Sequence, residues 1–264
     1  MPDPLAWDLN VSMVPLNVRF GDETFKDRVD MDSAAFFNRL ARSKVLPTTS
    51  MPSPGDFKML YEDVAKTHDA IISIHLSGKL SGTYQAAKTA ADGMSGVDVV
   101  PVDSGLVSAG MFLLVHAAAQ AAARGAGKEE ILKIIEDSLR KIRMFFVVDT
   151  LEYLQRGGRL SLAGQMIGGM LNVKPILTIK DGVIAPASRA RSQKKAIQKV
   201  MDYLSSLPHK PSAAVVGHAL APEECKATQA LIKSKFGSIK IFTCEIGPVI
   251  GTHSGPGCVE IAVM

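Results

Sequence analysis

Residues 71–91 read IISIHLSGKLSGTYQAAKTAA, and no other stretch narrows the fold of this chain as far. Positions 71–76 are β-rich and mostly apolar, which predicts a buried strand of a parallel sheet. Ser77, Gly78 and Lys79 break the run. Ser81-Gly82-Thr83 then opens a helix whose inner face carries only small residues, Ala86, Ala87, Ala90 and Ala91. Ser81 suits the N-cap, and the N–H groups of Gly82 and Thr83 would point out of the helix start. Such an end carries partial positive charge and attracts anions. In parallel α/β sheets, ligands gather at the carboxyl ends of the strands, where this turn lies. An ordinary capped βα turn uses the same residues, so this stretch alone leaves both readings open.

A second stretch bears on that choice. Residues 47–53 (PTTSMPS) place four hydroxyls, Thr48, Thr49, Ser50 and Ser53, in an expected loop. Ser53 and Pro54 open the next helix as N-cap and first residue, with Asp56 in its first turn. Phe57, Leu60, Tyr61, Val64 and Ala65 form its apolar stripe. Hydroxyls ahead of a helix serve turns and caps. Two such loops in one βα unit, with Thr49, Ser50, Ser81, Gly82 and Thr83 among their residues, can also converge on a single oxyanion.

Thr49-Ser50-x-Pro52-Ser53 followed by Leu80-Ser81-Gly82-Thr83-Tyr84-Gln85-x-Ala87 resembles the signatures of the DegV family of bacterial fatty-acid-binding proteins. The resemblance continues through Val14-Pro15-Leu16, Asp103-Ser104 and Leu151-x-x-Leu154-x-x-Gly157-Gly158-Arg159. It runs on through Leu171-Asn172-x-Lys174-Pro175 and Gly247-Pro248-x-x-Gly251-x-His253-x-Gly255-Pro256-Gly257, so it spans nearly the whole chain in order. It implies two α/β domains with a long-chain fatty acid, such as palmitate, between them. It implies that Thr49 and Ser81 hold the carboxylate. It further implies a carrier in lipid transport or fatty acid metabolism that presents the acid to a separate fatty acid kinase, which forms an acyl phosphate. The family also carries a strand with an Asp-Ser-Thr type motif ahead of the position of residues 12–20. The opening MPDPLAWDLN has no such motif, which predicts a gap in the sheet.

Read from the residues, the chain falls into two parts. Up to Arg143 strands alternate with helices. The strands are expected at residues 12–20, 71–76 and 97–102. The helices follow Asp32 or Ser33 and cover residues 105–124 and 128–143. This predicts a doubly wound parallel-sheet domain over residues 1–143. Residues 144–264 change character, with a strand at 145–148, a short helix at 150–154 and a glycine turn at 155–159. A hairpin turns at Asp181-Gly182. Helices follow at 192–207 and 222–236, strands at 213–218, 239–243 and 259–263, and a glycine loop at 247–257. This predicts an α+β domain with a mixed sheet, and the ligand between the two domains. The Gly- and Met-rich run at 162–171 suits an adaptable apolar wall for an acyl tail.

The bounds agree with a soluble, cytoplasmic protein. At 47% hydrophobic and 21% charged residues the composition is that of a globular domain. No apolar run reaches the ~18 residues of a membrane span, and the first residues lack a signal-peptide pattern. Stable membrane insertion is not expected. Cys225, Cys244 and Cys258 lack metal-like spacing and read as reduced thiols. A net charge of +4 without a basic run gives no nucleic-acid footprint.

No catalytic set is visible: there is no G-x-S-x-G elbow, no phosphate loop and no HExxH. Ser81 as nucleophile needs a base, for which His75 or His253 could serve, and an oriented third group besides. His253 instead suits a hydrogen bond near the head group or within its glycine loop. His75 faces either the core or the site. His116 reads as a hydrogen-bonded core residue. The expectation is therefore a carrier without chemistry, cofactor or metal. An enzyme acting on a small anionic or phosphorylated substrate at the Ser81-Gly82-Thr83 helix start is the alternative.

Overall fold

The computed structural model describes residues 3–160 and 173–264. The apolar run at 162–171 lies outside the described residues. A short helix α1 (Asp3–Asp8) precedes a hairpin of β1 (Asn17–Phe20) and β2 (Glu23–Lys26). The strand expected over 12–20 is confined to its last four residues. Pro15 has no N–H to give a ladder. The Asp32 carboxylate accepts the Ala35 N–H at 2.7 Å and starts α2 (Ser33–Arg42). The hydroxyl stretch is not wholly loop: β3 (Thr48–Ser50) pairs antiparallel with β1, Thr49 opposite Val18. α3 (Pro54–Val64) begins with a reciprocal cap, Ser53 Oγ accepting from Asp56 N and the Asp56 carboxylate from Ser53 N.

β4 (Ala70–His75) and β5 (Asp98–Asp103) are parallel, with α4 (Thr83–Asp92) as their crossover. Among the described residues no third strand pairs with either. The parallel sheet expected for the first half is this one βαβ unit. Two antiparallel helices follow, α5 (Ser108–Ala123) and α6 (Lys128–Lys141).

The rest of the chain builds a mixed six-stranded sheet. Its strands are β6 (Arg143–Val147), β7 (Lys174–Lys180), β8 (Val183–Ala190), β9 (Ala213–His218), β10 (Lys240–Glu245) and β11 (Val259–Val263). The order is β10-β9-β11-β6-β7-β8, with only β9 and β10 parallel. α7 (Glu152–Arg156), α8 (Gln193–Ser205), α9 (Pro222–Phe236) and α10 (Pro248–Ser254) connect these strands. Asp181 and Gly182 turn the β7–β8 hairpin, both with positive φ (50° and 77°). The expected glycine loop at 247–257 encloses α10. Gly247 is its N-cap, Pro248 its first residue, and Gly255 at φ 69° ends it. The largest apolar cluster draws on both halves, from Val18 and Phe36 through Leu113 to Phe146, Leu177 and Ala262.

One cross-strand row on the six-stranded sheet runs Cys244, Gly217, Glu260, Phe146, Leu177. Gly217 leaves a notch into which the fully buried Glu260 leans. There Glu260 accepts from Ser108 Oγ at 2.8 Å and from the Ala109 amide at 3.5 Å. A carboxylate from β11 thus caps α5 and fixes the residue before it, Val107.

Candidate functional site

A cavity of about 740 Å³, counting its open mouth, lies where these sheets meet. Its body is apolar: Leu16, Leu76, Leu80, Val107, Phe146, Leu177 and Ile184 are among its walls. Its polar groups are Thr49, Ser50, Ser81, Arg159, His253 and Ser254. Each comes from a place the fold explains. Thr49 and Ser50 are in β3, held by the ladder to β1. Ser81 stands two residues ahead of α4, at the carboxyl end of β4. His253 and Ser254 close α10.

Four of the six residues singled out in the sequence line the cavity: Thr49, Ser50, Ser81 and His253. Gly82 and Thr83 do not. α4 begins at Thr83 with Gly82 as N-cap, so Ser81 lies one residue outside the cap position expected for it. The Thr83 amide donates to Ser81 Oγ at 3.3 Å, and the two hydroxyls lie 2.8 Å apart. Thr83 is buried and acts on Ser81 from behind. Gly82 has an ordinary φ of −70°. A side chain there would collide with Met51, whose half-exposed thioether lies over the helix start and also lines the cavity.

Thr49 has the matching support. Its Oγ1 lies 3.0 Å from His253 Nε2. Among the described residues the other ring nitrogen, Nδ1, is buried without a hydrogen-bond partner, and it faces Gly157. Burial, and then the charge of Arg159, hold the His253 pKa down to about 4. The ring is therefore neutral at pH 7 and carries one proton. With that proton on Nε2, His253 donates to Thr49, whose own hydroxyl proton is then available to the cavity.

Arg159 was not among the site residues read from the sequence, although its Gly157-Gly158-Arg159 turn was noted. Its Nε donates to Leu80 O at 3.2 Å and its Nη1 to Gly157 O at 2.9 Å. The guanidinium thus joins the turn after α7 to the residue before Ser81. His75 is absent from the cavity wall. Its Nε2 lies 2.8 Å from Ser73 Oγ, which Tyr61 also engages, and Phe57 packs edge-on against its ring. Burial lowers its pKa to about 4, with Asp103 opposing. Ser81 and His253 are each engaged with another hydroxyl, Thr83 and Thr49. Among the described residues no group of three or more His, Cys, Asp or Glu could hold a metal ion. No described helix is long and apolar enough to cross a membrane.

The family model described as "Uncharacterised protein, DegV family" matches residues 1–264. Protein DegV of Bacillus subtilis (strain 168) is 36% identical over 264 residues, which are 99% of this chain and 94% of that protein. The solved structure titled as fatty acid binding of a DegV family protein from Thermus thermophilus superposes with a TM-score of 0.94. It is 32% identical, and the match covers 100% of this chain and 95% of that one. The crystal structure of the Bacillus subtilis protein, titled a fatty acid binding protein, gives a TM-score of 0.92 at 36% identity. That match covers 100% of this chain and 94% of that one.

Proposed function

The chain belongs to the DegV family, and from that premise we propose that it is a non-enzymatic carrier that binds a long-chain fatty acid, such as palmitate, without covalent attachment. The observation that carries this reading is the cavity itself, an apolar body with hydroxyls gathered at one end. The solved relatives described as fatty-acid-binding support it. In this reading residues 1–143 supply Thr49 and Ser81. Residues 144–264 supply His253 and the tail-facing side chains Phe146, Leu177 and Ile184.

The carboxylate needs donors, and two relays provide them. His253 donates to Thr49, and Thr49 to one carboxylate oxygen. Thr83 donates to Ser81, and Ser81 to the other. Each hydroxyl facing the acid is aligned by a second group behind it, and Arg159 adds positive potential nearby. Hydrogen bonds to a charged group contribute roughly 1.5–3 kcal/mol each. The tail contributes more. Some 15 methylenes at about 0.8 kcal/mol give on the order of 12 kcal/mol gross. Association takes back at least ~4 kcal/mol, which leaves micromolar or tighter binding. The half-exposed head-group end suits hand-over of the carboxylate to a fatty acid kinase in the cytoplasm, and the unpaired cysteines suit that compartment.

The test is native mass spectrometry of protein purified from cells, followed by palmitate titration of wild type, Thr49→Val and Ser81→Ala. A co-purified long-chain acid and a loss of about tenfold or more in each variant are expected from those hydrogen-bond energies. No bound acid and no palmitate binding would overturn the reading and favour a small anionic substrate.

A further inference from the structure

Thr49 and His253 form a polar pair in the cavity wall, yet they belong to units far apart in sequence. Thr49 is on β3, and β3 is held by β1. His253 is on α10, which packs on α2, α7, β1 and β3. Of these, β1 belongs to the hairpin that holds β3 and so bears on both partners. Asp27 follows β2 directly. Its amide donates to Leu16 O at 2.8 Å, and Leu16 lines the cavity. Its carboxylate lies at the start of α10, where the backbone N–H of Val249, the second residue of the helix, favours its charged form.

That amide is one of the donors a helix start leaves without an internal partner. Gly247, the N-cap, has no side chain to satisfy it. A side chain at Gly247 would also be too close to Asp27, its Cβ 2.9 Å from Oδ1. Asp27 thus takes the place an N-cap side chain would fill, from a neighbouring hairpin. Two further bonds clasp the same segment. Arg28 Nη2 donates to Glu245 O at 3.3 Å, and Ser33 Oγ to Ile246 O at 2.9 Å.

We propose that Asp27 is a positioning residue of the head-group site: it caps α10 across the gap between hairpin and helix and so holds His253 against Thr49. The arrangement is costly enough to need a purpose. Among the described residues the carboxyl Oδ1 is buried without a hydrogen-bond partner, and burial lifts the group to about 6 despite Arg28 and the Val249 amide. A residue next to a hairpin would ordinarily turn such a group to water.

The inference rests on the fatty-acid reading for its consequence, but its geometry is testable without ligand. The first measurement is amide exchange in the wild-type protein. Val249 N–H should be protected at least a hundredfold, and an unprotected amide would overturn the cap. The second compares Asp27→Ala with Asp27→Asn, whose side-chain oxygen can still face the Val249 N–H. In ligand-free protein the His253 ring nitrogen signals, identified by their loss in His253→Gln, should move in Asp27→Ala and stay in Asp27→Asn. Palmitate affinity should fall about tenfold in the first and less than twofold in the second. A merely structural role would lower the melting temperature of Asp27→Ala without moving the His253 signals, and that result would refute positioning. If Thr49→Val and Ser81→Ala leave palmitate binding unchanged, the fatty-acid reading fails, while the ring signals still decide the role of Asp27.

Discussion

Replacing Gly157 by alanine tests the head-group pair from its least obvious side. Gly157 has φ −76°, so alanine fits its backbone without strain. The difficulty is steric. A Cβ there would lie 2.8 Å from His253 Cε1 and closer still to Nδ1, with Tyr153 O at 3.1 Å on another side. Carbon contacts relax only near 3.5–4.0 Å, so the ring must retreat by about 1 Å. The 3.0 Å bond to Thr49 has no slack of that size. Losing it leaves a half-buried hydroxyl misaligned, at about 1–3 kcal/mol. Taking the middle of that range, palmitate affinity should fall roughly tenfold to thirtyfold. Overpacking of about 1–3 kcal/mol should lower the melting temperature by some 3–10 °C in a chain of this size. Gly158 is the control. It has φ 68°, and no atom of the described residues comes within 4 Å of where a Cβ would go, so alanine there strains the backbone and touches none of them. Gly158→Ala should cost about 1–2 kcal/mol of stability and leave affinity intact. Titration calorimetry and thermal melts on both variants decide the matter. Wild-type affinity in Gly157→Ala, or a loss confined to Gly158→Ala, would refute the claim that His253 aligns Thr49.

Further outcomes follow from the same structure. Gly217→Ala places a Cβ 2.8 Å from Glu260 Cδ, and should expel that carboxyl from the α5 cap at a cost of about 3 kcal/mol or more, read in urea melts. Gly82→Ala should lift Met51 off the helix start and speed fatty-acid exchange severalfold with little change in melting temperature; unchanged exchange would mean Met51 is no cover. Affinity should rise by up to ~0.8 kcal/mol per methylene along a series of saturated acids until the cavity is full, and a flat series would mean the tail is not enclosed. Acid should destabilise the fold through His75 and His253. Their folded values near 4 lie below the usual 6.5, so stability is intact above pH 6.5 and falls toward pH 4, by up to about 1.4 kcal/mol per pH unit each. Asp27, raised to about 6, takes up a proton in the folded state over the same range and offsets part of that loss; a melting temperature that does not move from pH 7 to 4.5 would contradict the balance.

What was legible in the sequence was local. The N-cap at Ser53 with Asp56 in its first turn and the Asp181-Gly182 turn depend on neighbours in the chain, and both stand where their residues place them. Thr49 and Ser81 follow from the resemblance to the DegV family, added to two hydroxyl-rich loops at helix starts, and both line the cavity. What was missed depends on partners distant in sequence. Three residues of the hydroxyl stretch become a strand only because β1 offers them a ladder. α10 hides in a glycine-rich segment, although Gly247, Pro248 and Gly255 are ordinary signals for helix start and stop. Which way His75 faces follows from the packing of Phe57 and Tyr61 on α3, which a period-two pattern does not convey. Arg159 enters the site through two backbone carbonyls, one of them 79 positions away.

The separation of the sheets has a consequence for cooperativity. Thr49 sits in the three-stranded sheet, Ser81 follows the two-stranded parallel pair, and His253 belongs to the segment between the last two strands of the six-stranded sheet. Among the described residues no ladder hydrogen bond joins one sheet to another. Each is therefore a natural unit of partial opening, with its own exchange rate. A fatty acid touching all three binds only when all three are closed, so its binding energy appears as coupling between their openings. At a hundredfold excess over Kd that amounts to about 2.7 kcal/mol. The empty protein should then show three distinguishable opening rates, and the loaded protein a single slower one.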